Sequence, residues 1–160
     1  SSYVLGSSVV ASYSCTDGGA GVASCVGTSP TGAGIPTSAA GHFTFRVTAA
    51  DAVSNTAEAT VAYDVGYGVC LDYDPGRARQ AGSTLPIKLR LCDARGTNLS
   101  SASVTVTATS IFRVSDNAPG PLEDSGQANP DLNFRHVGDS GASAAYLFNL
   151  SLKGLTTGTW

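Results

Sequence analysis

The chain contains no methionine, and charged residues make up only 13% of its 160 residues. It has no apolar run of 18 residues, so no membrane span is predicted. The nine Lys and Arg residues are scattered and the formal net charge is -3, so the sequence lacks the basic cluster typical of a nucleic-acid partner. Neither a methionine nor a basic-then-apolar signal peptide opens the chain, which predicts a mature or trimmed product.

The sequence also lacks the spacing of a cysteine and histidine metal centre. Its four cysteines form two local pairs, Cys15 with Cys25 and Cys70 with Cys92, and none lies in a C-x-x-C motif. Disulfides are therefore the favoured interpretation. Local pairing is favoured over the two other connectivities because each pair brackets a predicted turn or hairpin. Persistent disulfides indicate an oxidising setting, so we expect an extracellular or cell-surface protein, with the periplasm as the other such compartment.

What the chain does contain is residues that form strands and turns. Ser and Thr together occupy 36 positions and Gly another 19, which leaves few good helix formers. The clearest strand is LPIKLRLC at residues 85–92, where Leu and Ile alternate with other residues at the period of a half-buried strand. No stretch has an apolar period of 3.6 residues. The predicted fold is all-β.

Residues 1–65 are predicted to form a first module. Its two longest strands pair as an antiparallel hairpin around a turn at residues 51–55. The predicted strands are residues 9–15, 22–28, 43–49 and 57–65. The row expected to face inward in the last of them is Ala57, Ala59, Val61, Tyr63 and Val65.

A short joint at residues 66–68 leads to a second predicted module at residues 69–160. Its centre is the strand at residues 85–92. The other predicted strands are residues 69–73, 103–109 with an extension at 111–114, 134–137 and 146–152. Residues 115–133 contain four acidic residues and no Lys or Arg. Long polar loops of this kind are typically functional or disordered.

Several stretches resemble known families. The first module, with CTDGGAGVASC at residues 15–25 and FTFRVTAADAVSNTAEATVAYDV at 43–65, resembles bacterial Ig-like repeats of large secreted and surface proteins. The second, with VCLDYDPGRA, GSTLPIKLRLCDARG, DSGQANPDLNFR and AAYLFNLSLKGLTTGTW in that order, resembles the PxKF-type domain that often follows such repeats. Leu89 departs from the Phe in that motif's name, and Ser54 departs from the Gly common in the repeats. The resemblance implies two Ig-like antiparallel β-sandwich modules in tandem. It implies no catalysis.

Each module is one strand short of an Ig-type sandwich, which uses about seven strands in about 100 residues. A missing strand would leave unpaired backbone groups that template a strand from another chain. The hypothesis is that other copies or adjacent Ig-like repeats fill these positions and join head to tail, which generates a filament. The alternatives left open are a fragment of a longer repeat protein and a self-sufficient monomer. The expected assembly contacts are Ser1, Tyr3, Tyr67 and Trp160.

These patterns predict a non-enzymatic extracellular protein with a structural or adhesive role, as a repeat unit or subunit of a surface appendage. The alternative is a carbohydrate- or protein-binding accessory module of a secreted enzyme or adhesin, in which exposed aromatics bind surface glycans. Neither His42 nor His136 lies beside a nucleophile motif. A triad of His136, Asp139 and a serine is the remaining catalytic alternative.

Two oxygen-rich sets are candidates for calcium, although no cofactor is predicted. In the first, turn stabilisation by Asp51 and Asn55 is the favoured interpretation. The second lacks the spacing of an EF-hand loop. The sets are Asp17, Asp51 and Asn55, and Glu123, Asp124, Asn129 and Asp131. Asn98 and Asn149 match the N-glycosylation acceptor pattern and are candidate glycan sites.

Overall fold

The computed structural model describes residues 1–126, 130–139 and 141–160, and these residues form an all-β protein with two four-stranded sheets. The chain divides into two compact units. Unit 1 comprises Ser1–Gly68 and Asp93–Thr97, and unit 2 comprises Val69–Cys92 and Asn98–Trp160. None of the helices in the described part of the chain has the length and hydropathy needed to cross a membrane.

The sheet of unit 1 has the strand order β1-β4-β3-β2. Its strands are β1 (Ser2–Val4), β2 (Val22–Gly27), β3 (Gly41–Asp51) and β4 (Thr56–Gly66). The predicted hairpin is confirmed, since β3 and β4 pair antiparallel from Gly41 with Val65 to Ala50 with Thr56. Strand β1 pairs parallel with only the last three residues of β4.

Two turns of this unit share one design. In the turn at residues 51–55, the Asp51 N–H donates to the Asn55 carbonyl at 3.0 Å, and Asp51 Oδ1 accepts from two amides further along the turn. Asp93 makes the same bonds in the turn at residues 93–97, where its N–H donates to the Thr97 carbonyl at 3.1 Å. Both turns need a left-handed residue at the fourth position. It is Gly96 (φ 82) in one turn and Ser54 (φ 70) in the other.

The core of unit 1 lies under the carboxyl-terminal half of β4. Tyr63 and Val65 are buried there. The Tyr63 ring stacks on Phe43 at 5.4 Å between centroids and meets the edge of Tyr3 at 5.9 Å. Its hydroxyl donates to the Pro36 carbonyl at 3.0 Å. An aromatic cluster therefore closes this end of the sheet.

The predicted strand at residues 9–15 is wrong. Residues 9–11 instead bond irregularly to residues 32–35, with a single bridge between Val10 and Gly34. Prolines at 30 and 36 flank that partner segment, and a proline has no N–H to donate to a ladder. Residues 9–15, whose alternation predicted a strand, therefore form an extended covering segment. Tyr13, within it, accepts a hydrogen bond from the Gly27 N–H at 2.8 Å.

The sheet of unit 2 has the order β5-β6-β8-β7. Its strands are β5 (Gly68–Leu71), β6 (Thr84–Cys92), β7 (Arg135–Val137) and β8 (Ala145–Ser151). The strand predicted from LPIKLRLC is confirmed as β6. It pairs antiparallel with β8 from Thr84 with Ser151 to Leu89 with Tyr146.

Strand β8 is paired along both of its edges. One edge faces β6, and the first part of the other faces β7. Beyond β7, a bridge between Asp124 and Leu150 continues the pairing, with the Ser125 N–H donating to the Asn149 carbonyl and the Ser151 N–H donating to the Glu123 carbonyl. Two separate segments thus complete the second edge of β8.

The core of unit 2 is built on β8. Tyr146 and Phe148 are 1% exposed, and Leu150 is also buried. Leu89 and Leu91 of β6 pack with Tyr146, and Val104, Val106 and Phe134 lie against this cluster. Alternating large apolar residues on β6 and β8 therefore build one continuous buried layer.

Two other predictions for unit 2 need correction. Residues 103–109 form no regular strand, because their partner is a short segment joined by a bridge from Thr107 to Asn133 and hydrogen bonds at Ala108 and Phe134. The polar stretch at residues 115–133 is not one open loop, since residues 123–125 lie along β8 and a bridge joins Phe112 to Pro119. Local polarity did not reveal these long-range pairings.

Both disulfides have the local pairing that the sequence favours. Cys15 bonds to Cys25 of β2, and Cys70 of β5 bonds to Cys92 of β6. Each bridge therefore lies within one unit and fixes a strand of its sheet.

Candidate functional site

The candidate site is an edge of β4 that has no partner strand. On the side of β3, hydrogen bonding begins at the turn, where the Asp51 N–H bonds to the Asn55 carbonyl. On the opposite side, the Asp64 N–H donates to the Ser1 carbonyl at 2.9 Å. Backbone direction alternates along a strand, so the even-numbered residues of β4 point their N–H and C=O groups away from β3.

Strand β1 occupies this outer side only at residues 64–66. The N–H and C=O groups of Thr56, Glu58, Thr60 and Ala62 point the same way and meet no hydrogen-bond partner among the described residues. We call residues 56–62 the open edge. It is long enough to template one strand of ordinary length.

Side-chain exposure agrees with backbone pairing. All seven residues of the open edge are exposed, whereas Tyr63 and Val65 immediately beyond it are buried. The prediction of a continuous inward row is therefore wrong for Ala57, Ala59 and Val61. Val61 is 60% exposed. The methyl side chains of Ala57 and Ala59 offer too little apolar area for the sheet to be covered there.

The open edge carries little that would repel another strand. Edge strands are normally protected by charges, proline or bulges. The only charged side chain here is Glu58, and it forms a salt bridge with Arg46 of β3. The edge is therefore nearly neutral and free of proline. Its sequence, TAEATVA, carries a detectable signal: small residues stand where a covered strand would have large ones.

A cavity of about 510 Å³ lies at the other end of β4, within unit 1. Tyr3 and Tyr67, two of the predicted assembly residues, both line it, together with Asp64. Tyr67 is 39% exposed. Asp64 accepts a hydrogen bond from, or ion-pairs with, His42 across 2.7 Å. The cavity thus combines an exposed aromatic ring with a carboxylate.

The two other predicted assembly residues make contacts within their own units. Ser1 accepts the Asp64 N–H described above. Trp160 donates its indole N–H to the Thr156 carbonyl at 2.9 Å and lies 5.8 Å from the Arg113 guanidinium. A side chain at Gly120 would collide with the Trp160 ring. The indole is therefore packed against residues of unit 2 and stays partly exposed.

The first calcium candidates do converge. Asp17, Asp51 and Asn55 line one cavity of about 140 Å³. Their carboxylates, however, accept hydrogen bonds from turn groups. Amide donation by Gly21 and then Gly19 lowers the pKa of Asp17, and donation by the Asn55 side chain is the main cause of the lowered pKa of Asp51. This geometry supports the turn-stabilising role.

The second candidates are distributed over different segments. Glu123 and Asp124 lie in the segment paired with β8, and Asp131 lies in a 3-10 turn at Pro130–Leu132. Asn129 lies outside the described residues. No group of three His, Cys, Asp or Glu side chains able to hold a metal occurs in the described ranges.

The histidines have different surroundings. His42 and Asp64 are exposed. In the sheet, His42 on β3 and Ser2 on β1 lie on either side of Asp64 on β4, so the carboxylate, and not the imidazole, is the middle group of the three. A Ser-His-Asp triad requires the opposite order. The Nε2 atom of His136 is buried without a hydrogen-bond partner in the described part of the chain, and its ring contacts Tyr146 edge-on.

Asn98 has a role that its sequence motif does not reveal. Its amide nitrogen donates to the Gly141 and Ala144 carbonyls at 2.7 and 2.8 Å, and its oxygen accepts the Ser100 N–H. This nitrogen is the atom to which a glycan would attach, and attachment replaces one of its two hydrogens, so glycosylation would remove at least one of its two donated hydrogen bonds. Asn149 lies within β8 and is partly buried. Asn98 thus holds the turn before β8.

Family models, curated proteins and solved structures offer no match to this chain.

Proposed function

We propose that this chain is a non-enzymatic extracellular structural and adhesive unit, built of two Ig-like β-sandwich modules in tandem, whose neighbours join it by adding a β-strand. The observation that carries the proposal is the open edge at residues 56–62, where four residues present unpaired backbone groups. An added strand would satisfy these groups, and each hydrogen bond contributes about 0.5–1.5 kcal/mol net. Strand addition to an exposed edge is a common mode of recognition.

Two further observations support the structural part of this proposal. Each unit contains one four-stranded sheet with extended segments packed against it, which is compatible with Ig-like modules that resemble bacterial repeats and the PxKF-type domain. Small covered sheets bury little area, and a disulfide in each unit offsets this weakness. The mechanism is association and load bearing without turnover.

The extracellular assignment rests on cysteine chemistry. All four cysteines are in disulfides, and none is free. Such bridges persist in oxidising compartments and are rare in the cytosol. The proposal therefore places the unit on a cell surface or in an appendage, with other copies or adjacent repeats as its partners.

The proposal is tested by a proline substitution in the open edge. Thr60→Pro removes an N–H that points away from β3, so the hairpin keeps its own hydrogen bonds while any added strand loses one. Negative-stain electron microscopy and analytical ultracentrifugation should show concentration-dependent assembly of the native chain that Thr60→Pro reduces. Thr60→Ser keeps the N–H and is the matched control. A native chain that stays monomeric at millimolar concentration would overturn the proposal.

A carbohydrate-binding function is the second candidate, and the cavity beside Tyr3 and Tyr67 favours it. Sugar sites combine an aromatic face with a few polar groups, and Asp64 supplies an acceptor there. Glycan-array binding by the native chain that Tyr67→Ala abolishes and Tyr73→Ala leaves unchanged would support it. Equal binding by both variants, or none by the native chain, would exclude this cavity as the sugar site.

A further inference from the structure

The cavity at the carboxyl end of β4 opens on the polar face of the sheet. The opposite face is closed there, because Tyr63 and Val65 are buried and the Tyr3 ring packs against Tyr63. Side chains alternate between the two faces of a strand, so Asp64 points to the open face, as does its register partner Ser2 on β1. The cavity therefore presents a carboxylate and a hydroxyl group, while Tyr3 contributes its backbone.

A missing side chain creates the space in this cavity. Gly66 is the next residue of β4 on the open face, and its register partner is Val4 of β1. A Cβ atom on Gly66 would meet no other atom within 4 Å. Asp64, Val4 and Tyr67 line the space around this glycine. Its volume of about 510 Å³ lies in the range of small-molecule sites.

The one charged side chain that lines the described cavity is negative. This side chain is Asp64, whose Oδ1 atom lies 2.7 Å from Nδ1 of His42, a residue that does not line the cavity. The Oδ2 atom of Asp64 has no hydrogen-bond partner in the described part of the chain. Unit 1 as a whole contains five acidic residues, two arginines and no lysine. The cavity therefore offers a carboxylate oxygen to a positively charged donor.

We propose that this cavity binds a sugar that carries a protonated amine and selects it over neutral and acidic sugars of the same size. This inference rests on the proposed carbohydrate-binding function and names its ligand class. The ammonium group donates to Asp64 Oδ2, and the sugar ring lies against Tyr67. A charge-assisted hydrogen bond is about twice as strong as a neutral one, so the amine sets the preference. An acidic sugar would place a second carboxylate beside Asp64 and be repelled.

Two sugar trimers with the same rings and linkages test this selection. One is a glucosamine trimer with free amines, and the other is its fully N-acetylated form, in which the nitrogens carry no charge. At a pH at which the free amines are protonated, calorimetric titration of the native chain should give a dissociation constant about tenfold lower for the free-amine trimer. In an NMR titration, the amide signals of Gly41 and Gly66 should shift, because both residues line the cavity.

Substitutions separate the role of the amine from that of the sugar ring. Asp64→Asn removes the charge and should raise the dissociation constant of the free-amine trimer about tenfold, with little change for the acetylated trimer. Asp74→Asn, the same change on an exposed carboxylate of unit 2, is the matched control and should alter neither. Gly66→Val fills the cavity and should abolish binding of both trimers. Circular dichroism verifies that each variant is folded.

Tri-lysine is the probe for positive charge without a sugar ring. The inference is overturned if tri-lysine binds as tightly as the free-amine trimer, or if Gly66→Val leaves free-amine binding intact, because either result shows general attraction to an acidic surface. Equal binding of the two trimers, lost in Gly66→Val, would overturn the amine preference and leave carbohydrate binding in this cavity standing. If neither trimer binds, the inference fails, and the glycan array decides the carbohydrate-binding function separately.

Discussion

Strands β4 and β8 hold equivalent places in their sheets, yet they differ in how completely they are paired. Each lies between two other strands in its sheet order. The outer neighbour of β4 covers three residues, whereas β7 and residues 123–125 together cover the second edge of β8. An inner position in the strand order therefore does not by itself bury a strand or satisfy its backbone groups.

The two strands also differ in side-chain size, and the two differences agree. Tyr146, Phe148 and Leu150 of β8 are buried. The corresponding row in the first half of β4 has Ala57 and Ala59 instead. On β8, large apolar side chains stabilise the segments that pack over the strand, and on the first half of β4, where such side chains are missing, no segment covers the strand. Pairing and packing are thus set together.

The largest expected effect comes from removing a buried side chain of β8. Phe148→Ala should destabilise unit 2 by about 3–5 kcal/mol, because it removes a fully buried ring that contacts Phe134. Val61→Ala in β4 is the counterpart and should change stability by less than about 0.5 kcal/mol. The chain's single tryptophan, Trp160, lies in unit 2, so its fluorescence during urea unfolding reports the first variant. Hydrogen exchange of the β3 and β4 amides reports the second. Equal losses would contradict the comparison.

The disulfides give the next largest effect, in both units. Replacing Cys70 and Cys92 by serine should cost about 3.4 kcal/mol, and replacing Cys15 and Cys25 about 2.7 kcal/mol, in the chain-entropy model. The difference arises from their sequence separations of 22 and 10 residues. Urea midpoints of the two double variants, measured beside the native chain, check the order. A larger loss from the Cys15 and Cys25 pair would show that native-state packing dominates.

A third prediction concerns the turn that precedes β8. Asn98→Ala should destabilise unit 2 by about 1–3 kcal/mol, because the carbonyl of the fully buried Ala144 loses the Asn98 donor and the Gly141 carbonyl keeps only the Ala144 N–H. Asn98→Asp keeps an acceptor for the Ser100 N–H but sets a carboxylate against those carbonyls, so it should cost at least as much. Trp160 fluorescence in urea measures both. Expression in a glycosylating host should leave Asn98 unmodified. A glycan found on Asn98 of the folded chain would contradict its role in hydrogen bonding the turn before β8.

The smallest effect concerns the turn that leads into β4. Ser54→Gly should stabilise unit 1 by about 0.5–1 kcal/mol, since Ser54 has a φ of 70°, where a Cβ atom is disfavoured. Gly96→Ala in the sister turn is the mirrored control and should destabilise by a similar amount. Thermal melting followed by circular dichroism measures both. A destabilised Ser54→Gly variant would show that the serine side chain makes a compensating contact.

Much of the fold was predictable because strong alternation and local turns determine it. Strands β6 and β8, and the part of the β3–β4 hairpin away from its turn, have large apolar residues at period two, and the local spacing of the cysteines favoured the observed disulfides. The segment at residues 9–15 has the same alternation but no ladder. Its outcome depended on a partner that contains Pro30, Gly32 and Pro36, and alternation within one segment does not report its partner.

The candidate site was predictable in kind but not in place. An unpaired strand edge was expected at the chain ends near Ser1 and Trp160, whereas the open edge lies at residues 56–62, well inside the sequence. Where β1 stops along β4 depends on a long-range register. The small residues at 57 and 59 were the available signal, and strict alternation in the hairpin concealed it by predicting an inward row.

The disulfides described above also limit how far this chain extends under tension. A pulled polypeptide lengthens by about 3.3–3.6 Å for each residue released. The Cys70–Cys92 bridge links residues that are 22 positions apart, and the Cys15–Cys25 bridge links residues that are 10 positions apart. While the bridges are intact, about 75 Å and about 35 Å of contour length, respectively, cannot be extended. Loss of the sheets by force would therefore leave two closed loops in the chain. A reductant would turn the same unit into a longer tether.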